Sequence, residues 1–262
     1  MNFYLSQVPE RTKKPREDGL TMVMDKGLSI RELEDLISVG GSYIDLVKFG
    51  FGSAYVTPNI DLKIRFLKEM GIKCYLGGTL LEAFLIRNQF EDYLKLMDKY
   101  ELEYAEISDG SIEMDHEDKC NLIKRLSKRC TVISEVGSKE EGIIIRPNMW
   151  IEMMNRELEA GAWKVIAEAR ESGTVGIFRP SGKAHVVLIN KIISKVPKEN
   201  ILWEAPMKSQ QAWFIKLLGA NVNLGNIAPN EIIALETLRI GLRSDTFFDF
   251  LNEQNVSIGA DL

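Results

Sequence analysis

The sequence is poor in the residues that most often announce a chemistry. It holds two histidines and three cysteines in 262 residues. Cys74, Cys120 and Cys130 are odd in number and show no C-x-x-C spacing, which argues against a disulfide framework and a structural zinc site. His116 falls in a charged helix start and His185 on the helix after the sixth predicted strand, so both read as surface residues rather than bases. There is no G-x-S-x-G elbow and no Cys/His nucleophile arrangement. No apolar run approaches the roughly 18 residues of a membrane helix. The first residues, MNFYLSQVPERTKKPRE, turn polar too early for a signal peptide. A soluble, cytoplasmic protein with no membrane partner is expected. Basic residues are in deficit: 33 Lys and Arg against 38 Asp and Glu give a net charge of −5. The broad basic face of a duplex-binding protein is missing, so no nucleic-acid partner is expected. Any anionic ligand has to be met by cations gathered locally.

What is present is ordinary globular composition, 45% hydrophobic and 27% charged, arranged with a clear rhythm. Short apolar or β-branched runs occur at 20–24, 43–49, 72–76, 103–107, 131–135, 163–168, 201–205 and 220–224, with amphipathic stretches between them. Strands alternating with helices imply parallel pairing through right-handed crossovers. Eight such units in roughly 250 residues match a (β/α)8 TIM barrel. An open doubly wound sheet is the alternative, but no Gly-rich nucleotide fingerprint follows the first strand, and GFGS at 50–53 lacks the third glycine. Ser29–Glu32 and Thr79–Glu82 read as capping boxes, and Pro58 and Pro229 suit a first helical position. Ile232, Ile233, Leu235 and Leu238 repeat with helical spacing, as for a face packed on the sheet. The expectation is a single domain over 1–262. Residues 1–19 form an arm that is mobile or covers one barrel end, with Lys13, Lys14 and Arg16 solvated, and a short helix follows Ser244. Longer loops are expected at 137–147 and 171–181.

Polar residues that close barrel strands face the site mouth. Reading the eight ends gives Asp25 and Lys26, Lys48, Thr79, Glu106 with Ser108 and Asp109, Glu135, Glu168 with Arg170 and Glu171, Glu204, and Asn223 with Asn226. Glu106, Glu135, Glu168 and Glu204 close four strands in succession. Such oxygen donors suit a hard cation such as Mg2+, which needs only one or two of them; the alternative is that they pair with neighbouring lysines. Lys26, Lys48, Lys139, Arg170 and Lys208 bring cations to the same mouth, where an internal ion pair is the competing reading for Lys48. Two short polar loops, 205–211 and 223–229, open helices after strands seven and eight. Lys208, Ser209, Gln210, Asn223, Gly225 and Asn226 there read as a phosphate-binding set, or as ordinary helix caps.

Several blocks together resemble the phosphosulfolactate synthase family: LTMVMDKGLS (20–29), DLVKFGFGSA (45–54), LGGTL (76–80), EISDGS (106–111), EVGSK (135–139), EARESG (168–173), WEAPMKSQQ (203–211) and VNLGNIAPNEIIALETLRIGLRSDTF (222–247). The resemblance runs from about residue 15 to 247. It implies a (β/α)8 enzyme, a carbon–sulfur lyase acting as a synthase, that adds sulfite to phosphoenolpyruvate with Mg2+ to give 2-phospho-3-sulfolactate. It further implies that Lys139 is the general acid, that Lys48 and Arg170 hold the substrate's anionic groups, and that the protein is a homo-oligomer. The product's fate is left open between coenzyme M, sulfolactate and a sulfonated lipid. Two departures are visible. The common KFGWG block reads KFGFG, with Phe51 for Trp, and EVG is followed by Ser138 rather than a second Lys. A plant heat-stress-associated branch of the same barrel, or another phosphoenolpyruvate or sugar-phosphate enzyme, is the alternative.

Overall fold

The computed structural model describes residues 2–137 and 146–252. Its elements alternate as the sequence rhythm implies. The first half runs β1 (Thr21–Asp25), α1 (Ile30–Gly40), β2 (Leu46–Phe49), α2 (Ser53–Val56), α3 (Ile60–Glu69), β3 (Lys73–Leu76), α4 (Gly78–Leu85), α5 (Phe90–Tyr100) and β4 (Tyr104–Ile107). The second runs α6 (His116–Leu126), β5 (Thr131–Val136), α7 (Pro147–Glu159), β6 (Ala162–Ala167), α8 (Val186–Ile193), β7 (Ile201–Glu204), α9 (Lys208–Leu218), β8 (Leu224–Ile227) and α10 (Ile232–Arg239). The eight parallel strands bond in the order β3-β2-β1-β8-β7-β6-β5-β4, and β3 lies beside β4 to bring the sheet nearly to closure.

The period of two along each strand sorts the side chains into two cores. Residues such as Val23, Val47, Ala105, Val132, Val165 and Trp203 face outward and pack under the helices. Inside the barrel, Leu20, Met22, Leu46, Tyr75, Tyr104, Ile133, Ile166 and Leu202 form a separate apolar plug. Two residues further along, the inward position changes character: Leu46 gives way to Lys48, Tyr104 to Glu106, Ile133 to Glu135, Ile166 to Glu168 and Leu202 to Glu204. A dry floor therefore lies directly beneath a charged layer.

The N-terminal arm covers the opposite end. The Arg11 guanidinium pairs with Glu236 at 2.9 Å and donates to the Ala220 carbonyl at 3.0 Å. Arg16 is buried against Asp45 at 3.0 Å, and Lys14 donates to the Gly41 carbonyl at 2.7 Å, so neither is merely solvated.

Several local expectations are corrected. The eighth strand begins at Leu224, where Trp203 and Glu204 pair with Leu224 and Gly225. Gly219, at φ +90°, and the turn after it occupy the start of the predicted run. Asn223 consequently sits below the strand, not at the mouth. It accepts the Leu20 amide at 3.0 Å and donates to the carbonyls of Glu199 and Ile201, tying β1 to β7 at the barrel base. Gly225 points into the plug, where an added Cβ would come within 2.8 Å of Met22 Cε, so its smallness serves packing rather than phosphate approach. The Ser29–Glu32 capping box is present. Thr79 is not a cap, because α4 starts one residue earlier and Glu82 turns instead to Ser108 and the Ser111 amide. Pro58 lies in the turn before α3, whose first residue is Ile60. Ile233 faces outward, whereas Ile232, Leu235 and Leu238 are buried. Residues 244–250 form successive turns rather than a helix.

Arg239 is fully buried and donates to the carbonyls of Ala220 and Val222 at 2.7 Å and of Leu20 at 3.1 Å. Arg239→Met removes all three donations, leaving the Ala220 carbonyl to Arg11 and the Leu20 carbonyl to the Leu224 amide, and is expected to cost about 3 kcal/mol. The measurement is urea unfolding, with a lowered midpoint at unchanged slope; a loss below about 1 kcal/mol would show that water replaces the guanidinium.

Candidate active site

The charged layer closes on one ammonium. Lys48 Nζ lies 2.9 Å from Glu106 Oε1, 3.2 Å from Glu135 Oε2 and 3.7 Å from Glu204 Oε1, and all four side chains are buried. The strands bring them together: each side chain points inward from the last or next-to-last residue of its strand. The backbone supplies further anchors. Gly78 N–H donates to Glu106 Oε1 at 2.7 Å, and Ala169 N–H donates to Glu204 Oε2 at 2.8 Å. Gly78 has to be glycine for this approach, since a Cβ there would stand 2.3 Å from Ser108 Oγ.

Burial opposes the charge on Lys48, but Glu106, Glu135 and Glu204 together override it and raise its pKa well above the ordinary lysine value. The lysine is a permanent cation. Burial also pushes the carboxyls up, with Lys48 opposing and the neighbouring carboxylates adding to the rise. Glu106 moves above its usual range and Glu204 reaches about 8. The Tyr75 phenol, beside Lys48 in register, is buried without a hydrogen-bond partner among the described residues, and burial followed by Glu106 raises it well above 10. Nothing in the apolar run 72–76 flagged Tyr75, although its place two residues before Gly77 puts it on the inward face.

Above this layer opens a cavity of about 480 Å3, walled by Lys48, Glu135, Glu168, Glu204, Arg170 and Asn226, with Phe51 also at its wall. Arg170 is exposed and makes no ion pair among the described residues. Asn226 adopts φ +56°. Lys26 reaches the rim, half-exposed, in an ion pair with Glu171 of the same wall. Phe51, at φ +54° and half-exposed, places the departure from the family's Trp at the mouth.

Other predicted residues fall elsewhere. Lys139 and Ser138 lie outside the described residues. Lys208 pairs with Asp245 at 3.0 Å on the surface. Ser209 and Gln210 border a different cavity, and Gln210 donates to the carbonyls of Gly173 and Gly182, clasping the long loop after β6. The helix that carries them is displaced from the mouth by this loop, so the phosphate-binding set does not assemble there. Asp25 accepts the amides of Gly27 and Leu28 and pairs with Lys63, outside the barrel interior. Asp109 pairs at 3.0 Å with Lys119, a fully buried lysine that also holds Glu157 and donates to the Glu135 carbonyl at 2.6 Å. His116 joins this cluster through Glu157 at 3.1 Å and is not a free surface residue. Lys119 and Glu157 lie on α6 and α7, among charged neighbours that face solvent.

Among the described residues no group of three or more His, Cys, Asp or Glu side chains is arranged to cage a metal; Lys48 occupies the point where their ligands would meet. The donors nevertheless fit a shared Mg2+. Glu106 Oε2 is buried without a hydrogen-bond partner among the described residues, and Glu135, Glu168 and Glu204 stand in the cavity wall. A Mg2+ taking one or two of these oxygens would complete its octahedron with water and substrate.

The family model described as (2R)-phospho-3-sulfolactate synthase matches residues 9–245. The chain belongs to the phosphosulfolactate synthase family. It is 41% identical over 251 residues to the phosphosulfolactate synthase of Bacillus subtilis (strain 168), covering 95% of this chain and all of that one. It is 43% identical over 235 residues to that of Methanocaldococcus jannaschii, covering 87% and 94%. Protein HEAT-STRESS-ASSOCIATED 32 of Arabidopsis thaliana stands further off, 24% identical with 88% of each chain covered. Among solved structures, 3-hexulose-6-phosphate synthase from Salmonella typhimurium matches with a TM-score of 0.56 at 10% identity, covering 86% of this chain and all of that one, which supports the barrel fold alone. The chain is thus a family enzyme on a TIM barrel.

The raised Glu204 carboxyl carries a sign for stability. Its pKa goes from 4.5 to about 8 on folding, so the folded state holds a proton that the unfolded chain gives up. The metal-free protein is expected to lose stability as pH rises from about 4.5 to about 8, and Glu204→Gln should flatten that slope. Chemical denaturation across the range reads it; an equally steep slope in the variant would assign the titration to another group.

Proposed function

We propose that this chain adds sulfite to phosphoenolpyruvate, giving 2-phospho-3-sulfolactate, and that it does so with Mg2+. The match of residues 9–245 carries the reading. The site geometry supports it: an acidic protein concentrates Lys48, Arg170 and Lys26 over one cavity, as a multiply anionic substrate pair requires.

The sulfite sulfur lone pair attacks the methylene carbon of phosphoenolpyruvate and forms the C–S bond. The double-bond electrons move toward the carboxylate, and a proton then reaches the carbon bearing the phosphate. Lys48 cannot be that proton's source, because its neighbours hold it charged; its role is a fixed positive charge under the cavity floor, already oriented before charge develops. Arg170, exposed at the wall, offers a planar fork to carboxylate, phosphate or sulfonate. Asn226 is a substrate contact in the same wall. Lys139, at the end of the EVG-x-K block, delivers the proton. Bound to one or two of Glu106, Glu135, Glu168 and Glu204, Mg2+ supplies Lewis-acid stabilisation of the charge developing on the carboxylate. The same reading takes the protein as a cytoplasmic homo-oligomer.

Phosphorus NMR of the purified protein with phosphoenolpyruvate, sulfite and Mg2+, without oxygen, is expected to show a new phosphate ester that disappears when the metal is chelated. No ester with or without metal would remove the proposal. Lys139→Ala should lower turnover at least about 100-fold while phosphoenolpyruvate still binds. Arg170→Ala should raise KM more than it lowers kcat. Undiminished turnover in Lys139→Ala would place the proton elsewhere.

A further inference from the structure

A second cavity, of about 330 Å3, opens at the opposite end of the barrel, between the N-terminal arm and the starts of β1, β2 and β3. Its charged lining is Lys14, Arg16 and Lys73 against Asp45 alone. Asp45 is already committed: it pairs with Arg16 at 3.0 Å and accepts the Thr21 amide at 2.8 Å. Arg16 is itself more than nine-tenths buried, with its second contact to the Ser42 carbonyl at 2.8 Å.

The two lysines share the recess with Asp45, which Arg16 already holds. Lys14 is tied to a neutral acceptor, the Gly41 carbonyl, and makes no ion pair among the described residues. Lys73 likewise makes no ion pair there; its ammonium stands 5.0 Å from the Tyr104 ring centre and 5.4 Å from that of Trp163. Ring faces orient a cation but do not neutralise it. Burial lowers the Lys14 pKa, Asp45 opposes the fall and Arg16 adds to it, so the one carboxylate of the recess does not restore the ordinary lysine value. An excess of two positive charges thus lines a recess in a protein whose net charge is −5. At the catalytic end the buried Lys48 faces three carboxylates, so the contrast lies within one molecule.

We propose that this recess is a second ligand site, distinct from the catalytic mouth, that binds a small tetrahedral dianion of the phosphate class between Lys14, Arg16 and Lys73. Two lysine point charges and a guanidinium suit such an ion, and the volume holds it with room for a small organic substituent. Bound there, it fastens the arm through Lys14 and Arg16 to the β3 start through Lys73. Occupancy therefore stabilises the fold without touching the reacting groups.

Tryptophan fluorescence reads the site, because Trp163 lines the recess next to Lys73. Titrating the full chain with inorganic phosphate should give a saturable change that is absent in Trp163→Phe and a rise in the unfolding midpoint. Lys73→Gln and Lys14→Gln, both at partly exposed positions and neither near the reacting groups, should each weaken binding about tenfold and leave kcat unchanged. A parallel titration with glycerol phosphate identifies the source: tighter binding than the free ion assigns the site to a phosphate monoester, and weaker binding assigns it to inorganic phosphate. Equal affinity in the lysine variants and the unchanged chain, or no saturable response, overturns the proposal and leaves the recess as a water-filled gap.

Discussion

One ammonium group makes the upper half of this barrel possible. Glu106, Glu135 and Glu204 bring three carboxyls into a buried layer, and without Lys48 among them no water could offset their repulsion. With it, the layer carries one fixed positive charge and at least one carboxyl, Glu204, that keeps its proton to about pH 8. The dry floor of Leu46, Ile133, Ile166 and Leu202 below strengthens each of these interactions by excluding water. The layer is thus both a structural liability and a preset electrostatic surface, the combination expected where charge develops during a reaction.

The two ends of the barrel handle charge differently. At the C-terminal end, carboxylates outnumber the buried cation, and the added cations of the cavity stand exposed at its rim. At the base, Arg11, Arg16 and Arg239 are spent on backbone carbonyls and on Asp45 and Glu236, stitching the arm to the strand starts. That division lets the upper loops carry chemistry while the base carries stability. The long loop after β6 shares in both: Ala169 donates to Glu204, while Gln210 clasps the loop's far side.

Much of this architecture is written in the sequence. The eight-unit rhythm and the recurrence of Glu at four strand ends are consequences of period-two geometry in a parallel barrel, so the lysine–carboxylate layer was legible. What failed did so for local reasons. Asn223 and Gly225 were placed one turn too high because ANVNL looks like a strand, whereas the left-handed backbone at Gly219 delays β8 to Leu224. Lys208, Ser209 and Gln210 sit at a helix start, but a loop whose path no pattern encodes separates them from the mouth. Lys119, Glu157 and Lys63 were invisible because a buried charge on an amphipathic helix looks, in sequence, like a solvated one. The family resemblance added the reaction and the role of Lys139, neither of which spacing alone could supply.

Lys48 is the counter-charge of the buried carboxyl layer. The most direct test of this is the unfolding free energy of Lys48→Met measured at pH 5 and at pH 8. Removing the ammonium should cost about 3–5 kcal/mol at the higher pH and much less at the lower, where the carboxyls can take up protons in its place. A cost below about 1 kcal/mol at pH 8, or the same cost at both values, would mean that Lys48 does not hold the layer together.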